Sequence, residues 1–260
     1  MSEPTIQIER QGPACILRFN RPAKRNAVSA AMQGEILQAA RDAEKDDAVR
    51  AVILYGGTEG FSAGADLNEV LALQTEQQTL DYFAGWHILT LGLEALGKPV
   101  IAAIEGYCMT GGLELALACD LRVAAEGASF AITSTRIGTL AGAGGTQRLP
   151  RLIGVPRALE LLFAADPIDV REAERIGLVN RVAPRGGALA AALQLAELYA
   201  ARAPLGLKYT KQAVYQGIAL PLPEALELEK RLEAKVYQTE DKREGVSAFL
   251  EKRKPVFRGR

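Results

Sequence analysis

A single carboxylate, Glu114, interrupts an otherwise apolar run, Leu113-Glu114-Leu115-Ala116-Leu117-Ala118, directly after the pair Gly111-Gly112. A carboxyl group among such neighbours loses water. Burial then raises its pKa toward neutrality, where one group can both take and return a proton. The two glycines supply flexible backbone ahead of a helix, where free N–H groups and the helix dipole favour a negative oxygen. A second turn of this kind, Phe61-Ser-Ala-Gly-Ala-Asp66, follows the apolar run Ala51-Val-Ile-Leu-Tyr55. Two such turns can aim two backbone donors at one carbonyl oxygen, the geometry of an oxyanion hole. One carboxylate beside that hole equips a site for proton transfer next to a polarised carbonyl.

The elements that must carry these turns can be read from periodicity. Thr5–Glu9 and Cys15–Phe19 form a hairpin across Gln11-Gly12-Pro13. Ser29 caps a helix whose Met32, Ile36, Leu37, Ala40 and Ala43 share one face. A strand over 51–55, the Phe61 turn, a helix, and a long helix around 76–97 ending at Gly97-Lys98-Pro99 come next. The apolar strand 99–104 then leads into the Glu114 helix, and Leu121–Ala124 is another strand. Repeated strand–turn–helix units predict an α/β core. From Gly144 onward the pattern is almost wholly helical. Leu189, Leu193, Ala196 and Ala200 recur at helical spacing, and Pro223 opens a helix with Ala225, Leu228, Leu232 and Val236 on one face.

Composition narrows the function classes. The 260 residues carry 31 Lys+Arg against 31 Asp+Glu, which argues against a nucleic-acid surface. The sequence has no run of 18 apolar residues, and Met1-Ser-Glu-Pro-Thr5 has neither a basic nor an apolar leader region, so a cytoplasmic protein without a membrane segment is expected. Cys15, Cys108 and Cys119 lack Cys-x-x-Cys spacing and are expected to be buried thiols. With His87 as the sole histidine and no nucleophile motif beside it, neither a Ser-His-Asp triad nor a His-rich metal site is expected.

Several landmarks occur together and in order: Phe19-Asn-Arg-Pro22 with Asn26-Ala27, Phe61 to Asp66, Gly106-Tyr107 through Asp120, and Gly142-Ala-Gly-Gly-Thr-Gln-Arg-Leu149. Ala173 through Gly177-Leu-Val-Asn180 and the tail Arg243–Arg253 complete the set. At these residues the chain resembles the crotonase superfamily, the enoyl-CoA hydratase/isomerase family, over essentially its whole length. The resemblance implies an α/β spiral of β-β-α units over 1–195, holding an acyl-CoA site. It implies a C-terminal helical region over 196–260 for trimerisation and active-site covering. It further implies a homotrimer or dimer of trimers, with coenzyme A as part of the substrate and with no separate cofactor or metal.

By that resemblance the oxyanion donors are the backbone N–H groups of Ala65 and Gly111, and Glu114 matches the first catalytic glutamate. The position of the second glutamate, anchored from both sides without a gap, is Ser134, and no acidic residue lies between Glu126 and Glu160. A serine hydroxyl can position water but is a poor acid or base near neutral pH. Lys24 and Arg25 match the region that contacts coenzyme A, and Phe249 and Lys252 match C-terminal residues that reach its nucleotide, in many members from a neighbouring subunit. Ala63, Asp66, Leu67 and Gly112 complete the implied substrate-binding set, with Asp66 also expected to cap the following helix. A lysine frequent in the family is Asn68 here. Arg136 is expected on a solvated edge, and the Leu71–Thr79 segment is expected to shape the acyl pocket.

Enoyl-CoA hydration is therefore the leading reading. Its alternatives are single-glutamate isomerisation, decarboxylation or hydrolysis of an acyl-CoA. From another class comes a CoA-binding homologue without catalysis, against which the retained Glu114 argues.

Overall fold

The computed structural model describes residues 3–260. Its strands are β1 (Ile6–Gln11), β2 (Ala14–Phe19), β3 (Ala51–Tyr55), β4 (Gly60–Ser62) and β5 (Val100–Ile104). They continue as β6 (Tyr107–Met109), β7 (Leu121–Ala125), β8 (Ser129–Ala131), β9 (Ile168–Asp169) and β10 (Arg181–Ala183). The helices are α1 (Ala30–Lys45), α2 (Leu67–Leu71), α3 (Glu76–Glu94), α4 (Gly111–Leu117), α5 (Gly145–Ile153) and α6 (Val155–Ala164). After them come α7 (Val170–Arg175), α8 (Ala188–Ala200), α9 (Pro204–Gly217), α10 (Leu222–Tyr237) and α11 (Glu240–Leu250).

Six strands form one sheet in the order β1-β2-β3-β5-β7-β10, and β4-β6-β8-β9 form a second. The β1–β2 hairpin is antiparallel, while β2, β3, β5, β7 and β10 run parallel. Each strand of the large sheet from β3 to β7 is followed at once by a short strand of the small one: β3 by β4, β5 by β6, β7 by β8. That alternation is the expected β-β-α repeat. It carries the chain around a spiral and brings the turns after β4 and β6 side by side.

Ala51–Tyr55 and Val100–Ile104 are buried at every residue, as a parallel sheet covered on both faces requires. On one face Leu54, Val52, Ala102 and Ile104 pack with Met32, Ile36, Leu89 and Leu93 of α1 and α3. On the other, Ile53, Ile101, Ala103 and Val123 meet Ala188, Ala192, Leu195 and Ala196 of α8. The helix seats its alanines on the sheet, while Leu189 and Leu193 are only partly buried. Small side chains let the helix approach closely, so its buried face is offset from the one predicted by the leucine spacing. The division expected at 195/196 falls inside α8, which belongs to the core. α9 has no buried residue, yet its Lys211 pairs with Asp120 at 2.9 Å and its Tyr215 hydroxyl donates to Asp120 at 3.0 Å. The long helix also stops earlier than predicted, at Glu94, and Ala95 caps its last turn.

Cys15, Cys108 and Cys119 are buried and unpaired, and burial pushes the Cys119 thiol up to about 12. Among the described residues no helix is long and apolar enough to cross a membrane.

Candidate active site

Glu114 lies at the fourth position of α4, which starts where β6 ends. Its side chain is 3% exposed. Burial pushes its carboxyl up to about 7, although the Gly145 and Ala143 N–H groups and the charge of Arg148 pull the other way. Gly145 N–H donates to Glu114 Oε1 at 2.8 Å from the start of α5. Arg148 itself pairs with Glu94, and among the described residues the carboxyl has no ion-pair partner of its own. Such a group changes protonation near neutrality and suits a base that must also act as an acid.

Two backbone donors stand beside it. Val28 N–H donates to Gly64 O at 2.7 Å and Asp66 N–H to Val28 O at 3.1 Å. This parallel bridge is centred on Ala65, so the Ala65 N–H is turned to the opposite side. Further contacts hold the loop. Ala63 N–H donates to Arg25 O at 3.0 Å, Ser62 Oγ to Asn26 O at 2.7 Å, and Asn26 Nδ2 to Gly56 O at 2.6 Å. Gly111 is the first residue of α4, where the N–H has no acceptor within the helix. A Cβ on Gly111 would lie 3.0 Å from Ala65 N and 2.9 Å from Trp86 Cη2, which places the two donors together against the indole.

The local backbone differs from the flexible glycine turn expected there. Gly111 and Gly112 form the first turn of α4, and the unusual torsions fall on Thr110, with φ 45° and ψ −116°. A β-branched residue is strained in that region. Thr110 Oγ1 lies 2.9 Å from Thr133 Oγ1 and accepts from Thr133 N–H at 3.2 Å, while Thr110 N–H donates to Ala131 O at 2.7 Å. These bonds hold the peptide that carries the Gly111 N–H. The glycines serve close approach instead: a Cβ on Gly112 would lie 2.7 Å from Ser62 Cβ.

A cavity of about 410 Å³ brings together Lys24, Ala63, Ala65, Asp66, Leu67, Gly111, Glu114 and Ser134. Ser134, 3% exposed, opens a 3₁₀ turn over Ser134–Ile137. Asp66 caps α2 by accepting from Asn68 N–H at 3.1 Å and pairs with Arg21 at 2.8 Å, which holds its carboxyl below the usual range. Arg25 also lines the cavity and lies 4.3 Å from the Tyr107 ring centre. Gly112 lies behind the wall against Ser62. Phe249 in the last turn of α11 and Lys252 just beyond the helix are outside the lining, and Phe249 is 83% exposed. Arg136 pairs with Asp166 at the surface. His87 Nε2 contacts Gly142 O at 2.9 Å, tying α3 to the loop before α5.

The Leu71–Thr79 segment does not line this cavity. Its wall is Leu67, Val70, Tyr82, Phe83 and Trp86, with Ile137 and Leu140 opposite. Tyr82, Phe83 and Trp86 were missing from the residues singled out by sequence. Three aromatics at i, i+1 and i+4 are a signal for one helix face, though not for the site that the face covers. The Tyr82 hydroxyl and Trp86 indole N–H are buried without hydrogen-bond partners among the described residues.

The chain is similar to known proteins over nearly its whole length. A family model described as "Enoyl-CoA hydratase/isomerase" matches residues 9–260. A probable enoyl-CoA hydratase of Mycobacterium bovis is 38% identical over 258 residues, covering 99% of each chain. The 2,3-dehydroadipyl-CoA hydratase of Escherichia coli is 39% identical over 260 residues, covering 100% of each. The crystal structure of an enoyl-CoA hydratase from Bacillus anthracis superposes with TM-score 0.93 at 38% identity, covering 98% of this chain and 100% of that one.

Proposed function

The chain belongs to the enoyl-CoA hydratase/isomerase family, and from that premise we propose that it hydrates the double bond of a 2-enoyl-CoA with Glu114 as the one acid–base group. The observation that carries this reading is the juxtaposition of Glu114, raised to about 7, with the Ala65 and Gly111 N–H groups in one cavity.

The thioester oxygen sits between the two N–H groups. Ionised Glu114 takes a proton from water as the water oxygen bonds to C3. The π electrons move onto the thioester as an enolate, and its oxygen meets donors already in place. Each such donor is worth about a hundred- to a thousandfold in rate. Glu114 then returns the proton to C2, so hydroxyl and hydrogen add across the double bond and the carboxylate is regenerated. Ser134 holds the water by hydrogen bonding and supplies no proton.

Lys24 and Arg25 at the cavity mouth bind the phosphates of coenzyme A. Phe249 and Lys252 act on a neighbouring subunit's site in a homotrimer or dimer of trimers. The exposed Val214 of α9, Ile218 just after it, and Leu222 and Leu226 of α10 support such an assembly, because apolar surface of this kind is what subunit contacts cover.

The second reading is double-bond isomerisation, favoured by the serine at 134: one base moving a proton between C2 and C4 needs no second carboxylate. Crotonyl-CoA with wild type, Glu114→Gln and Ser134→Glu separates the two. Loss of the conjugated thioester absorbance with wild type, abolished in Glu114→Gln, supports hydration by one glutamate. An inert wild type whose Ser134→Glu variant gains hydration refutes it and directs the search to isomerisation and decarboxylation.

A further inference from the structure

Arg148 of α5 takes no part in the chemistry above, yet its guanidinium lies behind the loop that holds Glu114. Its Nη1 donates to Ala143 O at 3.4 Å. A Cβ on Gly144 would fall 1.9 Å from the same nitrogen, so the loop can pass the guanidinium here, at φ 113°, because residue 144 is glycine. The next residue, Gly145, is the one whose N–H donates to Glu114 Oε1 at 2.8 Å. On its other side Arg148 Nε donates to Glu94 Oε1 at the end of α3. The two side chains are 17% and 18% exposed, and neither residue lines the catalytic cavity. The neighbouring charges are engaged elsewhere. Asp120 is paired with Lys211, Arg122 donates to the Ala116, Cys119 and Leu178 carbonyls, and Arg151 donates to Gln147. His87 Nε2 is in contact with Gly142 O. In the catalytic cavity Asp66 is paired with Arg21, burial holds the Tyr82 phenol protonated, and Lys24 and Arg25 stand at the mouth.

We propose that Glu94 and Arg148 are positioning residues for the acid–base group: a neutral pair behind the 143–145 loop, whose balance of charge determines how readily Glu114 gives up its proton. The inference rests on the reading of Glu114 as the base that also returns the proton. Desolvation offsets much of the attraction within a pair so far out of water, so stability alone is a weak reason for it. Its field is the stronger one. Arg148 by itself would hold Glu114 ionised, leaving a poor donor to C2. Glu94 by itself would hold Glu114 protonated, leaving no base for the water. Bound to each other, their charges nearly cancel at Glu114, and the carboxyl keeps both roles.

The test compares Glu94→Gln, Arg148→Gln, the double variant and Arg148→Lys. The readout is the carbon NMR titration of the Glu114 carboxyl, assigned by its absence in Glu114→Gln, and it requires no turnover. Glu94→Gln should lower the midpoint by about half a pH unit or more, and Arg148→Gln should raise it by as much. The double variant and Arg148→Lys should both stay near wild type. The pH dependence of turnover should move in the same directions. Glu94→Gln matches the glutamate in volume and keeps an acceptor for Arg148 Nε, so it carries the test even if Arg148→Gln does not fold. An unmoved midpoint in Glu94→Gln, both single variants moving the same way, or a double variant displaced as far as either single would each overturn the proposal. Opposite shifts cancelling in the double variant, with no hydration of any enoyl-CoA by wild type, would sustain the pair and refute the hydratase reading alone.

Discussion

Replacing Glu114 by Gln removes a titration and leaves its environment nearly intact. Glutamine retains the oxygen that accepts from Gly145 N–H and matches the volume of the buried glutamate. The folded carboxyl holds its proton up to about pH 7, whereas the unfolded one releases it from about 4.5. Between those values the unfolded chain has lost a proton that the folded chain keeps, so wild-type stability falls as pH rises and levels off above 7. At about 1.4 kcal/mol per pKa unit, the cost of ionising Glu114 in place is on the order of 3 kcal/mol at pH 8, and less than about 1 at pH 5. Glu114→Gln has no such cost. Its unfolding free energy relative to wild type should therefore improve by about 2–3 kcal/mol between pH 5 and pH 8. Urea denaturation of both proteins at the two pH values measures it. The same titration should make wild-type hydration rise with pH to a plateau above 7, while Glu114→Gln loses at least about a hundredfold in turnover. A stability difference unchanged between pH 5 and pH 8 would refute the claim that burial, rather than a compensating partner, governs this carboxyl.

Gly111→Ala places a Cβ 3.0 Å from Ala65 N and 2.9 Å from Trp86 Cη2, so it should cut turnover about a hundred- to a thousandfold with coenzyme A binding unchanged. Kinetics and calorimetry check it; turnover within tenfold of wild type would contradict the assignment of the donors. At Thr110, both Gly and Ala lose the bonds to Thr133, but only Gly escapes the cost of φ 45°. Thr110→Gly should be about 1–2 kcal/mol more stable than Thr110→Ala by urea denaturation, and equal stabilities would show that no strain is held there. Asp241, buried in α11, accepts from Arg258 N–H at 2.6 Å and Gly259 N–H at 2.7 Å. Asp241→Ala should cost about 2 kcal/mol and expose the tail from Arg253 onward to limited proteolysis, whereas an unchanged cleavage pattern would mean that other contacts hold it.

The burial of Glu114 was legible in the linear order of residues. A lone carboxylate in an apolar run must be desolvated wherever the helix packs, so the upward direction of the Glu114 pKa follows from its neighbours alone. The strands of the large sheet were legible for a similar reason: runs such as Ala51–Tyr55 and Val100–Ile104 are apolar throughout and must be covered on both faces. The sequence could not show that Ala65 and Gly111 face one another. That depends on the β-β-α alternation, which stacks the turns after β4 and β6, and on the bridge from Val28 that turns the Ala65 N–H away from the ladder. Nor could it assign the strain to Thr110 in place of the glycines, because glycine's freedom makes Gly111-Gly112 look like the turn when their smallness is what the packing uses. The buried face of α8 and the aromatic wall from α3 were also settled by tertiary contact. Each is made by side chains far apart in sequence, and periodicity along one element carries no information about which element lies opposite.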